Sequence, residues 1–202
     1  MRALASGDLM TLERYARERP AFRARVLAHK AVRKVAVGPD VTWLFEDRLT
    51  VQYQVQEMLR VERIFEPVDI EQELAAYNPL IPDGSNLKAT MLIEIPDVQL
   101  RPARLAQLKD IEHHCYIRVL HRALDPVAGF EAVFAIADED LERTDDAKTS
   151  AVHFLRFDLT PGMVAALRAG AALAAGVDHA HYQHRVESLP AATRDALAND
   201  LE

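Results

Sequence analysis

Apolar and polar positions change their period several times along the chain, and the changes separate helices from strands. A first helix is predicted from Asp8 to about residue 19, where Pro20 interrupts it, and a second helix from 20 to 30. β-Branched and aromatic runs at 32–37 and 41–45 then flank a Gly-Pro-Asp turn. This pattern is typical of a β-hairpin.

Residues 47–66 return to helical spacing. Val51, Val55, Met58 and Phe65 fall on one arc of a helical wheel, and a second apolar arc lies on another side. A helix that is apolar on two sides is usually central to its domain. We therefore expect this helix to lie at the centre of the fold.

The rest of the chain continues the same alternation. Strands are predicted at 88–95, 115–120, 130–137 and 150–159; helices at 70–77, 102–111, 160–168 and 190–201; and a solvated acidic loop at 138–146. Residues 169–177 fit either a continued helix or a strand of small residues. The pattern predicts a single α+β domain over residues 1–202, with a mainly antiparallel sheet of about five to six strands flanked by helices.

Composition excludes several kinds of chemistry. The seven glycines are spaced so widely that no dinucleotide-binding, P-loop or nucleophile-elbow motif can be written. Cys115 is the only cysteine, which excludes an internal disulfide and a zinc or iron–sulfur site held by cysteines alone. A single cysteine is compatible with a reducing cytoplasm, where we expect the protein to function.

The charge balance bears on the partners. With 24 Lys and Arg against 31 Asp and Glu, the net charge is −7, so we expect no nucleic-acid partner. The longest apolar stretch, residues 163–177, is short, rich in alanine and glycine, and carries Arg168. We expect neither a membrane span nor a signal peptide.

Two glutamates of the 47–66 helix lie on apolar arcs. Glu62 projects between Val51 and Val55, where a buried carboxylate needs a partner. Two interpretations stay open: a buried pair with an arginine such as Arg156, or a functional carboxylate. Glu57 lies on the second arc, either as a glutamate at the rim of the core or as a functional group.

Histidines supply the other candidates. His153 lies in a strand that is apolar on both faces, either as a hydrogen-bonded core residue or as a metal ligand. Asp178 and His179 begin a segment with two further histidines, His181 and His184. This segment could bind a transition metal, but its spacing matches no standard zinc pattern, and exposed histidines near a turn are the alternative.

Several segments together resemble a known bacterial family. They are residues 45–50 with 56–62, 77–82, 137–143, 149–157, and Asp178-His179 followed by Tyr182. The chain resembles the family called domain of unknown function 3501 over nearly its whole length. Genes of that family are often found near those of rubrerythrin-like proteins and iron–sulfur proteins, so the resemblance implies a redox or oxidative-stress setting and partners of those kinds.

Two functional hypotheses follow. The first is a cytoplasmic accessory or binding protein that presents a charged cleft to a partner protein or small anion, with Glu57, Arg60, Glu62 and Arg156 as candidate ligand-binding residues. The second is a metal-dependent enzyme with Glu62, His153, Asp178 and His179 around iron, manganese or zinc. A purely structural role would need only homo-oligomerisation through the alanine-rich C-terminal segment.

Overall fold

The computed structural model describes residues 1–120, 129–137 and 148–202. Within these residues, most helices and strands lie close to their predicted positions. The helices are α1 (Leu12–Ala31), α2 (Arg48–Glu62), α3 (Pro67–Tyr77), α4 (Arg101–Gln107), α5 (Pro161–Arg168) and α6 (Ala191–Ala198). The strands are β1 (Lys34–Ala36), β2 (Val41–Phe45), β3 (Asn86–Ile93), β4 (Cys115–Leu120), β5 (Val133–Phe134), β6 (Ile136–Ala137), β7 (Val152–Asp158), β8 (Ala172–His179) and β9 (Tyr182–Val186). The acidic loop predicted at 138–146 lies outside the described residues.

The antiparallel α+β class is confirmed, but the strands form two sheets where one of five to six strands was expected. Sheet 1 has the order β1-β2-β3-β7-β6, and sheet 2 has the order β5-β4-β8-β9. The segment predicted as one strand at 130–137 divides at Ala135 into two short strands, and these belong to different sheets. The backbone N–H of Ala135 donates to the Cys115 carbonyl at 2.8 Å, and the chain crosses there from β5 in sheet 2 to β6 in sheet 1.

The two sheets enclose the main core. Alternate residues of each strand point inward, so that Trp43 and Phe157 from sheet 1 share one buried cluster with Ile117 and Leu173 from sheet 2. The rings of Trp43 and Phe157 lie 5.4 Å apart. Full burial of each large apolar side chain contributes about 1.5–3 kcal/mol, which makes this cluster the main source of stability.

Tyr182 joins the two sheets at one corner. Its buried hydroxyl donates to the Val37 carbonyl at 2.7 Å and accepts from the backbone N–H groups of Asp40 and Val41 at 3.0 and 3.1 Å. The hairpin between β1 and β2 is thereby tied to the first residue of β9. Gly38 allows the approach, since it has a φ of +81° and a Cβ there would lie 2.6 Å from the Tyr182 hydroxyl.

Helices α1, α2 and α3 form a separate layer with small apolar clusters of their own. The expected break at Pro20 is wrong, because α1 runs unbroken from Leu12 to Ala31 with Pro20 inside it. Tyr15 and Phe22, on either side of the proline, are buried and pack edge to face at 6.0 Å. We attribute the continuous helix to this packing, which offsets the backbone hydrogen bond that proline cannot donate.

Buried charges connect this layer to the C-terminus. Arg33 donates two hydrogen bonds to Asp200, at 2.7 and 2.8 Å, and lies 3.1 Å from Asp47. Asp47 also contacts the His29 ring at 2.5 Å and caps α2 by accepting from the Thr50 N–H. Burial raises the pKa of Asp200 in spite of the opposing bonds from Arg33. Residues far apart in sequence are therefore fixed around one buried guanidinium.

The strands decide between the two alternatives for residues 169–177. The 169–177 segment is a strand from Ala172 onward, because Gly170, with φ of +91°, ends α5 just before it. No helix in the described ranges is long and apolar enough to cross a membrane.

Candidate functional site

Glu62 does not face the core, so that expectation is wrong. It is the exposed last residue of α2, and Arg63 after it adopts a left-handed conformation with φ of 57° that ends the helix. The buried apolar residues of α2 are Val51, Val55 and Leu59, and Glu62 is not among the buried residues of the helix. Among the described residues Glu62 forms no ion pair. The expected Glu62–Arg156 pair is thus absent, and Arg156 instead contacts Asp158 of its own strand.

Glu57 forms the most complete ion pair of the helical layer. Its two carboxylate oxygens accept from Arg19 at 2.7 and 2.8 Å, and one of them also accepts from the Tyr15 hydroxyl at 2.5 Å. Arg60 lies at 3.5 Å. The hydrogen bonds from Arg19 lower the pKa of Glu57 to about 2, although burial opposes the shift. Glu57 therefore connects α2 to α1, and its oxygens already have partners.

His153 is a fully buried residue of the sandwich core. Its Nε2 atom lies 2.8 Å from the Thr149 hydroxyl, 3.0 Å from the Ser150 carbonyl and 3.8 Å from the Glu112 carboxylate. Glu112 and Thr149 are also buried. Of the two interpretations of His153, a hydrogen-bonded core residue or a metal ligand, this geometry matches the hydrogen-bonded core residue.

Asp178 and His179 point to opposite faces of β8. Asp178 is exposed and accepts from the Gln183 amide at 3.3 Å. His179 is buried; its Nε2 donates to the Lys109 carbonyl at 3.0 Å, and its Nδ1 accepts from the His181 N–H at 3.2 Å. Burial, with smaller contributions from His114 and His181, lowers the pKa of His179. Both ring nitrogens are already occupied by backbone groups.

The four residues expected at a metal are consequently not brought together. Glu62 ends α2, His153 lies in sheet 1, and Asp178 and His179 lie on opposite faces of sheet 2. Within residues 1–120, 129–137 and 148–202, no three His, Cys, Asp or Glu side chains are grouped so that they could hold a metal ion.

A large concave site lies on the outer face of sheet 2. On β4, Cys115, Ile117 and Val119 point into the core, so Tyr116 and Arg118 point outward. On β8 the outward residues include Ala174 and Gly176, which are small. A cavity of about 520 Å³ forms over them; we call it the sheet-2 cleft. Its lining residues are Tyr116, Arg118, Leu120, Ala132, Phe134, Ala174, Ala175, Asp178, Arg185, Val186 and Glu187.

Gly176 is required by the shape of this cleft. It pairs with Tyr116 on one side and Arg185 on the other, and a Cβ at Gly176 would lie 2.5 Å from the Tyr116 ring. Tyr116 therefore lies directly over β8. The Phe134 ring, half exposed, lies 5.7 Å from that of Tyr116. One wall of the cleft is thus aromatic and its floor is made of small residues.

Arg118 is the distinctive charge of the cleft. Its Nε donates to the Phe130 carbonyl at 3.0 Å, which fixes the guanidinium against the sheet. No carboxylate in the described part of the chain pairs with it. Arg185, in contrast, pairs with Glu187 at 2.5 Å, and both are largely exposed. The cleft consequently offers an oriented guanidinium that forms no ion pair with a described residue, beside aromatic and small apolar surface.

A second cavity extends the cleft along the same face. It measures about 360 Å³ and shares Tyr116, Asp178 and Arg185 with the first. Gln183 and His184 of β9 line its far side. The outer face of sheet 2 thus has continuous concave surface from β4 to β9.

Of the residues named from the sequence, only Asp178 lines the sheet-2 cleft. Tyr116 and Arg118 were missed, although a signal for them existed. Alternation along 115–120 places both opposite the apolar Cys115, Ile117 and Val119, and β8 is unusually rich in alanine. The alternation predicts the direction of each side chain. Whether a described carboxylate pairs with Arg118 depends on tertiary structure, which the alternation does not contain.

Fold and site together define an antiparallel α+β domain with a charged cleft on one sheet. The chain belongs to the family described as "Protein of unknown function (DUF3501)", whose model matches residues 3–201. It is similar to a novel protein of unknown function from Burkholderia pseudomallei K96243, known from a crystal structure, with 47% identity, a TM-score of 0.91 and full coverage of both chains. No curated protein matches the chain.

Proposed function

We propose that the protein is a cytoplasmic accessory or binding protein that holds a small organic anion in the sheet-2 cleft. The observation that carries the proposal is Arg118, whose guanidinium is fixed by the Phe130 carbonyl and has no carboxylate partner among the described residues. A guanidinium held in this way is suited to a carboxylate, because charge-assisted hydrogen bonds are stronger than neutral ones. The redox setting implied by the family resemblance is part of the proposal.

The walls of the cleft narrow the kind of anion. About 520 Å³ falls within the range of small-molecule pockets. Tyr116 and Phe134 supply aromatic surface, and Leu120 and Ala174 supply aliphatic surface. The hydroxyl of Tyr116 has no hydrogen-bond partner in the described residues and can donate a second bond to the ligand. A monocarboxylate with a flat or short aliphatic body fits these groups.

Binding of carboxylates to the purified protein tests the proposal. Benzoate and hexanoate are suitable probes, with benzamide as the uncharged match of benzoate, and isothermal titration calorimetry measures the affinity. We expect the carboxylates to bind in preference to benzamide. Replacing Arg118 by Gln removes charge-assisted hydrogen bonds worth about 1.5–3 kcal/mol, which corresponds to an affinity about 10- to 150-fold weaker.

Arg185→Gln is the matched control. Arg185 lines the same cleft but is exposed and already paired with Glu187, so its replacement is expected to change the affinity by less than about fivefold. Three results would contradict the proposal: equal binding of benzoate and benzamide, equal losses in both variants, or no binding of any probe at millimolar concentration.

The metal-dependent enzyme stays a second prediction from the sequence. Its four candidate ligands lie apart, so no observation in the described residues favours it over the binding role. Elemental analysis of protein purified without a histidine tag tests it, because stoichiometric metal that is lost in His153→Ala or Glu62→Gln would support the enzyme.

A further inference from the structure

The turn between α2 and α3 exposes large apolar side chains. We call residues 61–73 the α2–α3 corner. Val61 is 62% exposed, Phe65 68% and Val68 64%. Single exposed apolar residues are normal on protein surfaces, but three within eight residues of one turn are not explained by local structure.

A small cavity lies beside them. It measures about 240 Å³ and Phe65 forms part of its wall. The other apolar lining residues come from α2, the turn after it, α3, and the start of α1 with the segment before it, namely Leu9, Met10, Leu12, Leu59, Ile64 and Ile70. An apolar side chain from another molecule could therefore enter beside Phe65 and contact residues of three elements.

The apolar surface has an acidic surround. The corner contains five acids and one base, Arg63; the acids are Glu62, Glu66, Asp69, Glu71 and Glu73. None of the five forms an ion pair with a described residue, and Glu13 lines the cavity itself. Burial and the nearby charge of Glu62 raise the pKa of Glu73. The negative charges of the corner thus repel one another, and Arg63 is the one base within residues 61–73 that opposes them.

We propose that the α2–α3 corner is a docking surface for a basic, amphipathic segment of a partner protein. Leucine-like side chains of that segment would contact Phe65 and enter the cavity, while its lysines or arginines would face the acids. Charge argues against a second copy of this chain as the occupant, because two such corners would bring together ten acids and only two arginines. The same repulsion opposes an anionic membrane surface.

A defined peptide tests the docking surface. The probe is a fluorescent 18-residue helical peptide with leucines on one face and lysines on the other, titrated with the full-length protein and followed by fluorescence anisotropy. We expect saturable binding that weakens as salt is added, since surface charges are screened within about 10 Å at 0.1 M ionic strength. A Lys–Ser peptide tests the apolar contribution, and a Leu–Glu peptide tests the charge; both are expected to bind at least tenfold more weakly.

Matched surface variants locate the binding. Phe65→Ser should weaken binding at least tenfold, and Glu66→Lys should weaken it while reducing the salt dependence. Val98→Ser and Leu100→Ser are the controls, because these side chains are 62% and 61% exposed but lie between β3 and α4, outside the corner. The controls should bind the peptide with unchanged affinity. All four changes are at exposed positions, so thermal unfolding should remain close to that of the parent protein.

Several outcomes would overturn the proposal. They are equally tight binding of the Lys–Ser and Leu–Lys peptides, equal losses of peptide affinity in the Phe65→Ser and Val98→Ser variants, or no saturable binding of the Leu–Lys peptide. A concentration-dependent dimer that Phe65→Ser dissociates would show that a second copy occupies the corner. The carboxylate affinity of the sheet-2 cleft is measured separately, so either site can fail without the other.

Discussion

Loss of the Tyr182 hydroxyl should strongly destabilise the protein, because this one oxygen ties the β1–β2 hairpin of sheet 1 to β9 of sheet 2. Tyr182→Phe keeps the ring, which is 2% exposed, and removes only the three hydrogen bonds of the hydroxyl. The Val37 carbonyl and the Val41 N–H then remain buried without that partner. The Asp40 N–H is only partly buried and can turn to water.

The magnitude follows from these two buried groups. Each buried donor or acceptor left unsatisfied costs about 1–3 kcal/mol, so the loss of both partners should lower the free energy of unfolding by about 2–6 kcal/mol. That is a large fraction of the total free energy of unfolding, which is about 5–15 kcal/mol for a typical domain. Because the hydroxyl joins the hairpin to β9, the loss should be accompanied by faster amide exchange at Val37 and Val41.

Urea denaturation measures the change, with Trp43 as the probe. Trp43 is the only tryptophan and is fully buried, so its fluorescence reports the core between the sheets. Tyr116→Phe is the matched control, since the Tyr116 hydroxyl has no hydrogen-bond partner in the described residues and its removal should cost less than about 0.5 kcal/mol. Equal unfolding midpoints for the two variants would refute the reasoning about Tyr182.

Three further predictions concern a charge, a glycine and a thiol. The pKa of Glu57 is lowered from 4.5 to about 2, so its ionised form stabilises the folded state by at most about 3 kcal/mol at neutral pH, and this stabilisation is lost as the pH falls from 4.5 to 2. Glu57→Gln should therefore reduce the loss of stability at acidic pH in a profile of unfolding free energy against pH. An unchanged acid limb in this variant would exclude the Glu57–Arg19 ion pair as its cause. Gly176→Ala should cost about 1–3 kcal/mol through its contact with the Tyr116 ring, and much less in a Tyr116→Ala background, as a double-mutant cycle by denaturation can show. Burial raises the pKa of Cys115, so a thiol reagent such as dithionitrobenzoate should react with it only as fast as the protein opens, and rapid labelling of the native protein would contradict its burial.

Local signals predicted the elements well where a single turn or cap decides the structure. The Gly-Pro-Asp turn correctly predicted the β1–β2 hairpin, and Thr160 with Pro161 marked the start of α5, where Thr160 accepts from the Met163 N–H. Pro20 was misleading for the opposite reason. The penalty for proline inside a helix is local, whereas the packing of Tyr15 and Phe22 that offsets it also involves residues of another helix.

The candidate site was harder to predict than the fold. A helical wheel placed Glu62 among apolar residues, but it assumed that the helix continues past residue 62 and that the whole arc is covered. The left-handed Arg63 ends the helix, and Phe65 of the same arc is exposed as well. The direction of Arg118 could be read from strand alternation, but its charge balance could not, because ion pairs between distant elements are not encoded in spacing.

Charge pairing distinguishes structural groups from groups available to other molecules. Glu57 pairs with Arg19, and Arg33 with Asp200, so these ions hold elements of the fold together and a ligand would have to break existing bonds to reach them. Within the described residues, Arg118 and the acids of the α2–α3 corner lack such pairs, and each lies beside exposed apolar surface. The sheet-2 cleft presents a guanidinium without a described ion-pair partner, whereas the corner has an excess of acids, and the two places also differ in size. Their occupants should therefore differ too: a small anion fits the sheet-2 cleft, and a basic protein segment fits the corner.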